Sequence, residues 1–373
     1  KAEAAQWRGA YEQSGQLAEA AMTKLASGSS LWFGAAMTLA VVLMRRIQLD
    51  KLHALCETLI AWGSENKWSD AFIEAAIRIG LQAYVVGQYE IGQKLIIPLS
   101  QLLENRSEHS LRIQALLEVL EAARTTVMWK YDQTFQHSME AARLLEQIGD
   151  LRTAAGQRLD ATFTLVDLGR PEQAIEICKD LLVTAQRLAI PRLKSIAKGM
   201  LGAALLAAGR LEQARDTLIE AKNMLDTLGD ARNGGSMRYK LGRCHRLRKE
   251  YDLAEKYLDE AETLLADMPR LRALMHAHKA LLFVDMQRTT EALEHARQGM
   301  AILQKLGRIG TDEILVRYAY IESLLQAGLQ EEASQQIAVA RERVLFMANQ
   351  LTDESFRESF LNHVEENRRV LTM

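Results

Sequence analysis

The sequence predicts an all-α solenoid of about nine helical hairpins closed by a C-terminal capping helix. Three observations carry that expectation. Leu and Ala dominate an apolar fraction of 48%, with four prolines and 6% aromatics in 373 residues, a mixture that favours helix almost throughout. Small residues recur at a fixed period: Ala174, Ala214, Ala254, Ala292 and Ala333 follow one another at steps of 40, 40, 38 and 41. A chain of this length also exceeds a single globular core, whereas a repeat array lengthens its core without thickening it.

The best-preserved unit is residues 191–230. Two apolar helical runs, 195–208 and 211–228, flank the turn Gly209-Arg210-Leu211-Glu212-Gln213-Ala214 and so form a helical hairpin. Twelve positions before the turn residue, Gly202, Gly242, Ala280, Ala122 and Gly80 hold a second small site, whereas Thr162, Ile321, Val42 and Arg8 depart from it. Seven positions after it, Ala221, Ala261, Gly299, Ala340, Ala141 and Ala61 hold a third, with Leu181, Leu99 and Ser27 there in the other hairpins. Small residues at fixed steps on both helices are what close helix–helix contact requires.

Taken in order, residues 1–27 read as a first hairpin, 31–62 as a second and 69–104 as a third, with Ala20, Ala54 and Gly92 at the turn position. The run 31–44, ending at Arg45-Arg46, is too short to span a membrane and reads as a buried helix. Residues 105–110 form a polar link. The fourth hairpin, 111–148, places Thr134 at the turn position and has an irregular turn at Trp129-Lys130-Tyr131. From there Gly149-Asp150, Ile190-Pro191, Gly229-Asp230, Met268-Pro269 and residues 307–310 end successive second helices with helix-stop residues. Asn233-Gly234-Gly235 is the softest of these places and a candidate hinge. The expected organisation is a repeat solenoid over 1–350, less regular over 1–148 and regular over 149–350. A capping helix over 351–373 follows, started by Thr352-Asp353-Glu354 and carrying Phe356, Phe360, Leu361 and Val364 on one face.

This pattern resembles the tetratricopeptide repeat (TPR) in an elongated form. The usual unit is 34 residues; six extra residues add about 9 Å of helix, a little under one turn for each helix of the pair. The resemblance implies a right-handed superhelix whose first helices line a concave groove. Phe356-Arg357-Glu358-Ser359-Phe360-Leu361 through Glu366-Asn367-Arg368-Arg369-Val370-Leu371 resembles the closing stretch of repeat regions at the C-terminal ends of large bacterial regulators. Those are the STAND-class signalling ATPases and their kinase- and cyclase-bearing relatives. That resemblance implies a non-enzymatic sensor or partner-binding scaffold in signalling or transcription regulation, with catalytic modules elsewhere in the protein. Peptide-pheromone receptors of the quorum-sensing type are similar in length and repeat content and supply the alternative.

Chemistry is sparse. Phosphate-binding Gly-rich loops are absent from the sequence, as is His-Glu-x-x-His, so neither ATP hydrolysis nor a metal site is expected, and no cofactor. His276 and His278, two apart on a helix, point in different directions. Cys56, Cys178 and Cys244 are odd in number and far apart, which suits reduced core residues of a cytoplasmic protein. A net charge of −2 gives no global field for nucleic acid or an anionic membrane.

The most informative charge feature is the run 238–249, with Arg238, Lys240, Arg243, Arg246, Arg248 and Lys249 and no acid. In a tetratricopeptide frame Tyr239, Arg243 and Arg246 fall on the groove, where they suit an acidic peptide, a C-terminal carboxylate or a phosphate. Asp252, Glu255, Asp259 and Glu260 follow at once and offer local neutralisation instead. The remaining groove positions are Tyr84, Phe163, Val166, Leu206, Leu281, Val284, Tyr318 and Glu322. Their apolar character fits an amphipathic helix or apolar peptide laid along the groove, or equally an inner side that packs on itself. All five tryptophans, Trp7, Trp32, Trp62, Trp68 and Trp129, lie in the first 129 residues, consistent with irregular packing or with an interface to another domain or a second copy.

Overall fold

The computed structural model describes the chain except residues 8, 9, 47, 67, 86–88, 105–109 and 308, and the side chains of 6, 7, 45, 84, 85, 89 and 98–104. The described residues form helices α1 (Ala2–Trp7), α2 (Tyr11–Lys24), α3 (Ser30–Arg45), α4 (Leu49–Glu65), α5 (Asp70–Val85), α6 (Tyr89–Glu104), α7 (Leu111–Val127) and α8 (Tyr131–Gln147). They continue as α9 (Leu151–Asp167), α10 (Pro171–Arg187), α11 (Pro191–Ala207), α12 (Leu211–Thr227), α13 (Ala231–Leu247), α14 (Tyr251–Leu264), α15 (Pro269–Asp285) and α16 (Thr289–Leu306). The chain ends with α17 (Asp312–Gln326), α18 (Gln330–Ala348), α19 (Glu354–Asn362) and α20 (Glu365–Thr372). Residues 1–124 with 140–151 form one compact unit, and 125–139 with 152–373 a second.

The repeat is written most plainly in the backbone. Trp129, Gly169, Gly209, Lys249, Gln287 and Gly328 all adopt positive φ, between 60° and 74°, at steps of 40, 40, 40, 38 and 41. Each stands just past the first helix of its pair. There a left-handed residue turns the chain so that freed carbonyls are satisfied, as when Gly169 N–H donates to Val166 O and Arg170 N–H to Leu165 O. Gly149, Ala189, Gly229 and Gly307 do the same after second helices. The turn at Trp129 is therefore regular, with a tryptophan in the glycine's place. Its indole is buried edge-on to Tyr131 and Phe346, with the Arg343 guanidinium 5.4 Å above the ring.

The small sites act as expected in the regular hairpins. Ala174, Ala214, Ala254, Ala292 and Ala333 are fully buried. A Cβ on Gly202 would lie 2.7 Å from Leu218 Cγ, and one on Gly242 2.6 Å from Leu258 Cγ, so glycine is what lets each second helix approach. At the start of the chain that register fails: Ala20, Ala54 and Ala61 are exposed. The core of the first unit is instead held by large rings. Phe33 lies 5.3 Å from Trp32, 5.0 Å from Trp62 and 5.8 Å from Phe72, and Trp68 closes on Phe72 at 5.5 Å. Rings of that volume separate helices that small residues would bring together.

The hinge expected at Asn233-Gly234-Gly235 is corrected by the structure. These residues form the first turn of α13, capped by Asp230, whose carboxylate accepts from Asn233 N–H. Both glycines are buried, and a Cβ on Gly235 would meet Leu265 Cδ2 at 2.8 Å. They are packing glycines.

In the second unit the first helices touch one another, α11 on α13, α13 on α15 and α15 on α17, and so define its inner face. That unit also closes on itself. Asp132, fully buried at the start of α8, accepts from Thr352 N–H, Thr352 Oγ1 and Asp353 N–H at 2.7–2.9 Å. Ser359 on α19 donates to Leu168 O and accepts from Arg170 Nε. A Cβ on Gly310, just before α17, would lie 3.4 Å from the Tyr131 hydroxyl at the start of α8.

Candidate functional site

The inner face of the second unit carries most of the residues that the sequence singles out. On α9, Phe163 is 43% exposed and Asp160 is also exposed, one turn of helix apart. On α11 Ala207, in the last turn, is exposed as well. Asp160 keeps solvent access, yet the protein around it raises its carboxyl to about 6. Asp167, one turn beyond Phe163, is also held above the ordinary carboxylate range, by burial and then by Asp312.

The basic run on α13 is neutralised, mostly by other hairpins. Arg238 bonds Asp226 and Glu260; Arg246 reaches Asp285 on α15; Arg248 pairs with Glu250 and Glu212. Among the described residues, Glu260 alone of the four acids that follow the run takes part, since Glu255 pairs with Arg288 and Asp259 with Lys279. Lys240 has no ion pair among the described residues; its ammonium donates to the Tyr239 hydroxyl at 2.7 Å. Tyr239 is half-buried and stacks on His278 at 5.5 Å. His278 is 3% exposed, and burial with Arg243, Arg246 and Lys240 nearby drives its pKa well below the usual value. Nδ1 of His278 and Nε of Arg246 are buried without a protein partner among the described residues.

Arg243 is different. It pairs at 2.9 Å with Glu366 and at 3.9 Å with Glu365, both on α20, which packs on α17 and α18. Tyr318 and Glu322 lie one turn apart on α17, and burial, then Glu322, raises the Tyr318 phenol pKa. Glu365 and Arg369 of α20 act on the same phenol. The inner face along α13 and α17 is thus covered by the chain's own C-terminus. Leu206 and Leu281 are buried, and Val166 and Val284 half-buried. Tyr84 has its side chain outside the described residues.

The capping segment is divided in two. Asn367 turns its side-chain amide onto Phe360 O at 2.8 Å, satisfying a carbonyl at the end of α19, while Val364 is extended and starts α20. No periodicity in the sequence marks that break. Elsewhere His276 meets His295 with Nδ1 atoms 3.1 Å apart, and His245 bonds Glu250. Among the described residues no three such ligands converge as a metal site, and no helix is long and apolar enough to cross a membrane.

No protein-family model matches the sequence, and no curated protein matches it. Solved structures match the fold. A Rap protein complexed with competence and sporulation factor aligns with a TM-score of 0.60 at 13% identity, over 92% of this chain and 98% of that one. The Rap conjugation gene regulator of plasmid pLS20, in complex with the Phr peptide, gives 0.58 at 13% identity over 91% and 96%. Aspartyl phosphate phosphatase F from Bacillus subtilis gives 0.53 at 15% identity over 95% and 97%. The fold is that of a tetratricopeptide-like repeat array. Helix pairs with left-handed turns every 40 residues or so are the feature that the sequence and the structure share with it.

Proposed function

We propose that this chain is a non-enzymatic scaffold that binds a peptide or a protein helix on the inner face of its second unit, as the partner-sensing repeat region of a bacterial signalling or transcriptional regulator. The observation that carries this is the open stretch of α9 and α11. There an exposed aromatic, Phe163, stands one turn from the exposed Asp160, and Lys240 of α13 acts on Asp167 one turn further along α9. An apolar ring flanked by charges of both signs suits a short peptide with a terminal charge and one large side chain. A narrower reading, a receptor for a signalling peptide, is favoured by the two fold neighbours solved with competence and sporulation factor and with a Phr peptide.

The test is hydrogen exchange on the full chain titrated with a library of synthetic linear peptides. Binding is expected to protect α9 and α11, and Phe163→Asp is expected to abolish it without changing the melting temperature, since that ring is already exposed. Protection confined to the outer helices, or binding that survives Phe163→Asp, would remove the groove from the account.

A further inference from the structure

The two closing helices are held in unlike ways. α19 is anchored by Phe360, 1% exposed, and by Phe356, which packs 5.7 Å from Phe135 with the Arg170 guanidinium over its ring. The buried Asp132 and Ser359 bonds fix it further. α20 has one fully buried apolar side chain, Val370, together with the Asn367 amide, the bond from Arg341 Nε to Val370 O, and the Arg243 ion pair. An eight-residue helix is marginal by itself in water. The extended backbone at Val364 lets it leave without unwinding α19.

We propose that α20 is a displaceable internal occupant of the inner face, and that the external ligand of the α13–α17 stretch is an acidic amphipathic helix that replaces it. This rests on the groove-binding reading and deepens it. Glu366 and Val370 are four apart and share one face of α20, so one helical turn presents a carboxylate to Arg243 and an aliphatic side chain to the core. Glu365 and Arg369 extend the same surface to Tyr318. A partner with an acidic pair at its helix start and a branched aliphatic one turn later meets the same groups. Its competitor is tethered, at an effective concentration on the order of millimolar, so the site answers only when α20 lets go or the partner is abundant.

The experiment uses the full chain and, as probe, a fluorescent synthetic peptide of residues 363–373. The parent is expected to bind it weakly. In Glu366→Arg, hydrogen exchange over 365–372 is expected to quicken by about tenfold or more while 354–362 stays slow, and the probe to bind at least about tenfold tighter. Arg243→Glu combined with Glu366→Arg restores the pair with reversed sign and is expected to return both readouts toward the parent. Unchanged exchange over 365–372 in Glu366→Arg overturns the latch. Faster exchange with no gain in probe binding overturns the acidic-helix ligand. Both outcomes leave the α9–α11 reading standing, because that depends on Phe163. If circular dichroism shows Glu366→Arg to be misfolded, Glu366→Gln carries the same pair of readouts.

Discussion

Along α9 and at the last turn of α11 the inner face of the second unit is open, and along the rest of α11 and along α13, α15 and α17 it is filled, although one repeat builds both stretches. Phe163, Asp160 and Ala207 face solvent, whereas His278 and Leu281, on the matching faces of α15, are 3% exposed and Arg243 is held by α20. The positions that repeat, alanines and glycines between paired helices, fix the backbone. The positions that vary decide what lies upon it.

The largest blow to that contrast is expected from Phe360→Ala. Removing a fully packed ring costs about 3–5 kcal/mol, and because α19 carries α20, the covered stretch should lose its cover while α9 and α11 change little. Chemical denaturation gives the loss, and hydrogen exchange shows where it falls; equal loosening along α9 would mean the two stretches are not distinct. Next come Gly202→Leu on α11 and Gly242→Leu on α13. Each forces a side chain where even a Cβ meets leucine below 3 Å, and overpacking of this kind costs about 1–3 kcal/mol. Similar losses at both sites are expected, since the open and filled stretches stand on the same hairpin. A variant that melts like the parent would place that glycine outside the close contact.

The alanine ladder was readable because burial between paired helices tolerates only small side chains, and that demand returns every 40 residues. Trp129, Lys249 and Gln287 hid the turn signal, since a reader expects glycine at positive φ. Gly234 and Gly235 misled in the opposite direction: glycine pairs suggest flexibility, yet here Gly234 packs beside Asp226 and Arg238 while Gly235 admits Leu264 and Leu265. The first hairpins defeated the register because aromatic volume there replaced small-residue contact. At the candidate site, the tetratricopeptide frame put Tyr239, Arg243 and Arg246 on one helix face, but nothing local in sequence revealed that Asp285 and Glu366 neutralise two of them. Ion pairs between distant hairpins follow from how the array closes, and periodicity does not encode closure. The same holds for the surroundings of Asp160.

A smaller effect separates the two kinds of turn. Lys249 and Gln287 hold left-handed conformations that strain a side-chain-bearing residue by about 1–2 kcal/mol. Lys249→Gly and Gln287→Gly are expected to stabilise the chain by up to about 1 kcal/mol each, part of the relief being lost to the freer unfolded chain. Gly209→Ala, at the matching turn of the open stretch, is expected to destabilise it by a similar amount. The three melting curves should therefore move in opposite directions at equivalent positions.

The slightest expected change, and the one that distinguishes the stretches by chemistry, is in pH dependence. Asp160 has its folded pKa raised from 3.8 to about 6 by desolvation, so the folded chain keeps a proton that the unfolded chain has lost. Its contribution to stability is full below about pH 4 and fades as pH rises through about 6. His278 runs the other way. Burial, and then Arg243, Arg246 and Lys240, lower its folded pKa well below 6.5, so its neutral form supports the fold above that value and is undermined as pH falls. Between about pH 4 and 6 the open stretch thus gains stability on acidification while the filled one loses it. Asp160→Asn should remove the first slope, a shallow one because that carboxylate is solvated, and His278→Phe the second. Denaturation midpoints measured across pH 4 to 7 on parent and both variants test the pair. If Asp160→Asn leaves the profile unchanged, that carboxylate is as wet as in bulk solvent, and a peptide would gain little there from desolvated charge.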